Sequence, residues 1–231
     1  MNYFVVMEKN TGKNMVKTKI GMKVISTNVS KPTSIIWLGQ EEITGIYKYP
    51  TIDDLCLKSE SVVSDHVEDL INHGGLDKAC YLFSADHYPY WKKLYPNLDW
   101  NWGMFGENIT ISNLDEESIL IGDVLKIGSA IVQVCQPRQP CYKLGIRFGS
   151  QRILKQYVRY GFPGIYVRIL QEGSLKMGDS VELIERFENS ISVCDSFKLI
   201  INQDTPEFKS LLTKALADPN LAKSFKEQLT R

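Results

Sequence analysis

The stretch from Lys23 to Arg186 is broken into short β-compatible runs, and this punctuation restricts the fold more than any other feature of the chain. The runs cover residues 24–29, 34–38, 43–49, 80–83, 109–111, 124–127, 131–135, 165–170 and 181–184, and Gly, Pro, Asn and Asp separate them. Many short strands at such spacing predict a mainly β protein, a barrel or sandwich, over a doubly wound sheet. Two of the runs follow the same dipeptide, Gly122-Asp123 and Gly178-Asp179, as repeated barrel corners would. Peripheral helices are predicted at residues 85–95, opened by Ser84 as N-cap, and at 152–160, ended by Gly161.

After Arg186 the apolar period changes from strand to helix. Val193, Phe197, Ile200 and Ile201 recur at helical spacing, Thr205-Pro206 opens a second amphipathic run, and Asp218-Pro219 opens a third. The expected organisation is a leader at residues 1–21, a β-barrel domain at 22–187 and a three-helix segment at 188–231. The three helices are expected to bury their apolar stripes on each other or on a second subunit, which makes the tail compatible with a homodimer and leaves the barrel core self-contained.

Charge removes whole classes of function. The 231 residues include 27 basic and 27 acidic ones with no polybasic cluster, so no nucleic acid partner is expected, because that affinity comes from clustered Lys and Arg. No apolar run approaches the roughly 18 residues that a membrane span needs, and none is expected. The five cysteines are odd in number and contain no C-x-x-C pair, which makes reduced thiols and a cytoplasmic setting the expectation. His66, His73 and His87 are too scattered for a zinc site. His73-Gly74-Gly75 is the densest glycine element and matches neither a P-loop nor a dinucleotide fingerprint.

The most informative stretch is Q-P-R-Q-P-C-Y-K-L at 136–144. Pro137 and Pro140 forbid a regular strand and hold the loop that follows the 131–135 run in extended conformations. If Pro140 is the first position of a short helix, Cys141 lies in its first turn, where free N–H groups and the nearby Arg138 favour a thiolate. Such a thiol is a nucleophile or a soft-metal ligand. Cys56, Cys80, Cys135 and Cys194 instead sit in apolar runs and read as small buried side chains.

This stretch, with N-H-G-G-L-D-K-A at 72–79, F-G-E-N-I-T at 105–110, I-G-D-V-L-K-I-G at 121–128 and the three-helix tail, resembles the MOSC family, named for the C-terminal domain of molybdenum cofactor sulfurases. The likeness covers about residues 22–231 and is closest to the bacterial YiiM-type members. It implies a closed, mostly β barrel whose groove binds a molybdenum cofactor (molybdopterin), with Cys141 as the molybdenum ligand. It further implies a reductase that removes oxygen from N-hydroxylated compounds such as hydroxylaminopurine analogues, fed by an external electron-transfer reductase. The alternatives are a sulfur carrier, with a persulfide on Cys141 and no metal, and a non-catalytic cofactor-binding module.

On the same resemblance, Arg138 and Lys48, the latter in T-G-I-Y-K at 44–48, are the cations at the groove. His73, Gly74 and Gly75 would face a phosphate, Asp77 would hold Lys78 or a loop N–H, and Asn108 would bond the cofactor or the Arg138 loop. The chain departs from the family at Ser64-Asp65, where Gly-Asp is usual, and at Leu76, where Pro commonly follows H-G-G. The first departure predicts a different path for that loop.

Overall fold

The computed structural model describes residues 21–201 and 205–230, so the leader expected at 1–21 lies, Gly21 apart, outside the described residues. The chain begins with β1 (Met22–Ser30), the hairpin β2 (Thr33–Trp37) and β3 (Gln40–Thr44), β4 (Lys48–Pro50), and the small pair β5 (Leu55–Lys58) and β6 (Ser61–Val62). It continues through α1 (Leu70–His73), β7 (Cys80–Ser84), α2 (Tyr88–Leu94), β8 (Ile109–Ser112), β9 (Val124–Ile127) and β10 (Ala130–Pro137). Then come α3 (Tyr142–Arg147), α4 (Arg152–Tyr160), β11 (Ile165–Gln171), β12 (Gly173–Leu175) and β13 (Ser180–Glu185), followed by α5 (Val193–Lys198), α6 (Pro206–Ala217) and α7 (Lys223–Leu229).

Seven strands close a barrel in the order β13-β9-β10-β11-β7-β8-β1, sealed by Met22 opposite Val181 and Lys23 opposite Ser180. Closure leaves no free edge on these seven, which explains how such short strands persist. All pairs are antiparallel except β7 with β8. The barrel interior is aliphatic, with Val24, Leu82, Ile109, Leu125, Val132, Val134, Ile165 and Val167 fully buried.

Alternation then builds a second core outside the wall. Cys80 and Leu82 face the barrel interior, whereas Tyr81 and Phe83 face outward into a layer of Tyr88, Trp91, Phe105, Phe148, Tyr157 and Tyr166. α2 and α4 cover that layer. Trp91 and Tyr157 lie parallel at 6.0 Å, and Phe83 stacks on Phe105 at 4.3 Å.

Local departures from the predicted elements have local causes. The 43–49 run splits, because at Gly45 a Cβ would stand 1.9 Å from the His66 carbonyl oxygen, a backbone approach that only glycine permits. The predicted 85–95 helix is a 3-10 turn over Ala85–His87 followed by α2, with Ser84 Oγ accepting from the Asp86 N–H as the N-cap. Gly161 ends α4 with φ +84.

The tail forms the three expected helices but does not keep its apolar stripe to itself. Val193, Leu199, Ala215, Leu221, Ala222 and Phe225 join the barrel-lining aliphatics in one continuous cluster, and Phe197 packs 6.2 Å from Tyr157 in the outer layer. Backbone bonds stitch the two parts together: Ala222 N–H donates to Cys135 C=O (3.0 Å), Val193 N–H to Ile119 C=O (3.0 Å) and Ile121 N–H to Ile191 C=O (2.9 Å). The expectation of a self-contained barrel core is therefore corrected, because the tail's apolar side chains pack into the same cluster as those of the strands. Phe225→Ala is expected to cost about 3–5 kcal/mol in urea unfolding, and removal of residues 190–231 to abolish the cooperative transition. A truncated chain that still unfolds cooperatively would contradict this packing.

Candidate functional site

β10 ends at Pro137, and the next residues run extended to Cys141, the N-cap of α3 with φ −114 and ψ 166. The helix starts at Tyr142, so Cys141 stands one step before the first turn that the prolines suggested. Its carbonyl accepts from the Leu144 N–H (2.9 Å), and its side chain is half-buried. Tyr142 stacks on Trp37 of the β2–β3 hairpin at 5.1 Å and donates its hydroxyl to Glu42, which ties α3 to the hairpin.

Arg138 turns inward. It is 2% exposed, its N–H donates to Gly164 C=O (3.4 Å), and its guanidinium lies over the rings of Tyr81 (5.6 Å) and Tyr157 (5.8 Å). Burial pushes the hydroxyl pKa values of both tyrosines well up and that of Tyr166 to about 12, so all three stay neutral. The Tyr81 and Tyr157 hydroxyls are held by the Pro163 carbonyl at 3.0 and 2.5 Å. Among the described residues Arg138 has no carboxylate partner, and its Nη1 is buried with no acceptor; Gln136 Oε1, two residues before it, is also buried and unpaired. Cys141 is a near neighbour of both Arg138 and Tyr166.

His73 ends α1 beside this group, its Nδ1 3.4 Å from the Tyr166 hydroxyl. Burial first, then the charges of Arg138, Lys78 and Lys143, push its pKa down to about 4 despite Asp69. Gly74 is extended and a Cβ there would come 2.9 Å from Leu70, while Gly75 has φ +87 with open space above it. The structure thus brings together Cys141, Arg138, His73 and the Gly74-Gly75 turn.

The other predicted residues lie elsewhere. Asp77 pairs with Arg168 (2.8 Å) rather than Lys78, whose ammonium donates to Asn72 C=O (2.7 Å). Lys48 is buried in an ion pair with Asp65, and burial lowers its pKa against the pull of that carboxylate. Asp65 also accepts from Asn108 Nδ2 (2.9 Å) and from the Ser30 N–H and hydroxyl (both 2.8 Å). Asn108 additionally accepts from the Tyr81 N–H (3.2 Å), so it fixes β7 and the Asp65 loop and makes no bond to the Arg138 loop. Ser64 takes φ +65, a left-handed conformation that glycine adopts more readily than serine.

Sequence reasoning missed Tyr81, Tyr157 and Tyr166. The signal for Tyr81 and Tyr166 was strand alternation, which sends them out of the wall on the side from which Arg138 arrives.

Residues 69–182 match the MOSC domain family. The chain is 37% identical over 203 residues to the uncharacterized protein YflK of Bacillus subtilis (strain 168), covering 88% of this chain and 90% of that protein. A Gibberella moniliformis protein named as a reductase is 35% identical over 153 residues, covering 64% of this chain and only 27% of that protein. The crystal structure of YiiM from Geobacillus stearothermophilus matches with a TM-score of 0.75 and 29% identity, covering 90% of this chain and 97% of that one.

The depressed pKa of His73 has a stability consequence. A base that is harder to protonate when folded costs nothing above its unfolded value near 6.5, and stability falls as pH drops from there toward 4. His73→Gln should therefore flatten the difference between urea unfolding at pH 7 and at pH 4.5 by about 2 kcal/mol. An unchanged difference would show that His73 protonates freely in the folded chain.

Proposed function

Since the chain belongs to the MOSC domain family, we propose that Cys141, Arg138, His73 and the Gly74-Gly75 turn hold a molybdenum cofactor, and that the protein is the substrate-reducing part of a reductase acting on N-hydroxylated compounds. The observation that carries this reading is the guanidinium of Arg138, buried without a counter-charge beside a half-buried thiol. A buried charge surrounded by neutral tyrosines is costly, and an anionic ligand with oxygen acceptors removes that cost.

The donor set fits such a group. Among the described residues no cluster of three or more His, Cys, Asp or Glu could hold a metal ion. A metal at Cys141 would take one soft ligand from the protein and the rest from the cofactor. A bound cofactor of this kind supplies two-electron oxygen-removal chemistry, and the protein supplies the rest. Arg138, fixed by Tyr81 and Tyr157, offers Nη1–H to an anionic oxygen with no side-chain search. His73, neutral at pH 7, provides hydrogen-bonding capacity without adding to the local positive charge. The open backbone at Gly75 lets a phosphate approach closely. Electrons come from a separate reductase, in keeping with a match to only about a quarter of the fungal reductase's length.

The test is metal analysis of protein made in a host competent for molybdopterin. Cys141→Ser should lose molybdenum and protection against hydroxylaminopurine with little change in Tm. Arg138→Lys should lose much more of both than Lys143→Arg, because an ammonium cannot replace a planar fork. Cys135→Ser serves as the control: its thiol already donates to Asp77 C=O at 2.8 Å and lies 3.2 Å from Tyr166 C=O, so a hydroxyl there finds an acceptor and costs less than about 1 kcal/mol. Molybdenum-free protein carrying persulfide sulfur that disappears in Cys141→Ser would favour the sulfur-carrier reading instead.

A further inference from the structure

A cleft of about 440 Å³ opens between the turn after Gly75, strand β11 and the start of α7. It is distinct from the Cys141 group. Arg168 sits two residues beyond Tyr166 on the same face of β11, about 7 Å further along the strand, and its ion pair with Asp77 stands at the cleft wall.

The cleft has two kinds of surface. Leu76, Ile169 and Leu221 give it an apolar side. Arg168, Lys223 and Lys226 line the other, against the single carboxylate of Asp77. Arg168 is held from three directions, by Asp77 (2.8 Å), Asn220 C=O (3.0 Å) and Gln133 Oε1 (3.3 Å), yet its side chain remains one quarter exposed and its five N–H donors are not all used. Asp77 offsets its charge. The charges of the lysines are not offset in the same way: Lys226 has no acidic partner among the described residues, and Lys223 has only a long, exposed contact with Glu227 at 3.9 Å. Two positive charges therefore remain over a fixed guanidinium, next to an apolar wall and with far more room than an inorganic ion needs.

We propose that this cleft is a second binding site, for a phosphate monoester with an apolar body: the dianion meets Lys223 and Lys226 beside the partly exposed guanidinium of Arg168, and the body lies on Leu76, Ile169 and Leu221. A carboxylate carries half the charge and matches the two spare lysines less well.

The test uses the full chain and phenyl phosphate as probe, with inorganic phosphate as comparator, in calorimetric titrations at 0.15 M salt. Phenyl phosphate should bind saturably and about tenfold more tightly than inorganic phosphate, since burying the ring adds an apolar contribution. Lys226→Glu, at a half-buried position of α7 and checked for an intact fold by circular dichroism, should weaken it at least tenfold, as should the exposed change Lys223→Glu, and Arg138→Lys should leave it unchanged. Equal binding of the two probes, absence of saturation, or a loss in Arg138→Lys without one in Lys226→Glu would each overturn the proposal, the last by placing the ligand at the Cys141 group.

Discussion

The facing parts of β7, β10 and β11 are buried on both sides, and the rest of the architecture answers to that constraint. A wall with an apolar outer face has to be roofed, and here the roof is aromatic: Trp91 from α2, Tyr157 from α4 and Phe105 from the intervening loop. A polar chain leaving the end of β10 therefore enters a layer of rings instead of water. Arg138 is held by this layer, with its flat cation lying on ring faces and its Nη1 unpaired.

Among the described residues, other buried charges are met by hydrogen-bonding or ionic partners, which separates structural from functional charge. Glu107 accepts from the Tyr88 hydroxyl (2.5 Å), the Thr110 hydroxyl (2.8 Å) and the N–H groups of Gly103 (2.9 Å) and Phe105 (3.0 Å). Glu116 is closed off by His87 at 3.0 Å, and Asp65 by Lys48, Asn108 and Ser30. Each of these carboxylates is already met by a partner inside the fold. Arg147 is likewise spent on the carbonyls of Ile46 and Lys48 while lying over Tyr47 and Tyr49. By the same accounting Lys48 and Asn108 hold the loops that frame the groove, and Arg138 keeps a buried donor to spare.

What could be read from the sequence follows the same division between local and distant causes. The Gly-Asp corners were legible because their chemistry lies within a few residues. Gly122 and Gly178 take φ +90 and +94, and in both turns the aspartate accepts from the N–H three residues before it, Leu120 to Asp123 at 3.0 Å and Lys176 to Asp179 at 2.9 Å. α4 was legible to the residue for the same reason. β5, β6 and β12 were not, since Leu55–Lys58 has little to mark it as a strand until Gly173–Leu175 pairs with it from more than a hundred residues away. Cys141 and Arg138 stood out through the prolines around them. The ion pair of Asp77 with Arg168 and the tyrosine cradle depend on which strands become neighbours, and no local pattern encodes that.

The tail belongs to this argument as well. The 136–141 loop has its backbone restricted at Pro137 and Pro140 and, through them, at Gln136 and Gln139, which leaves Arg138 the freest residue between the prolines. Arg138 is fixed by the aromatic layer, and Gln139 exchanges two side-chain hydrogen bonds with Gln228 of α7, at 2.7 and 3.1 Å. Just before the loop, the Cys135 carbonyl accepts from Ala222 at the start of the same helix. α7 thus grips the loop at both ends while its Phe225 is buried in the barrel cluster. The position of Cys141 is set jointly by the barrel, the aromatic roof and a helix that the chain adds only after the barrel is complete, so the segment that looked like an appendage is part of the frame of the site.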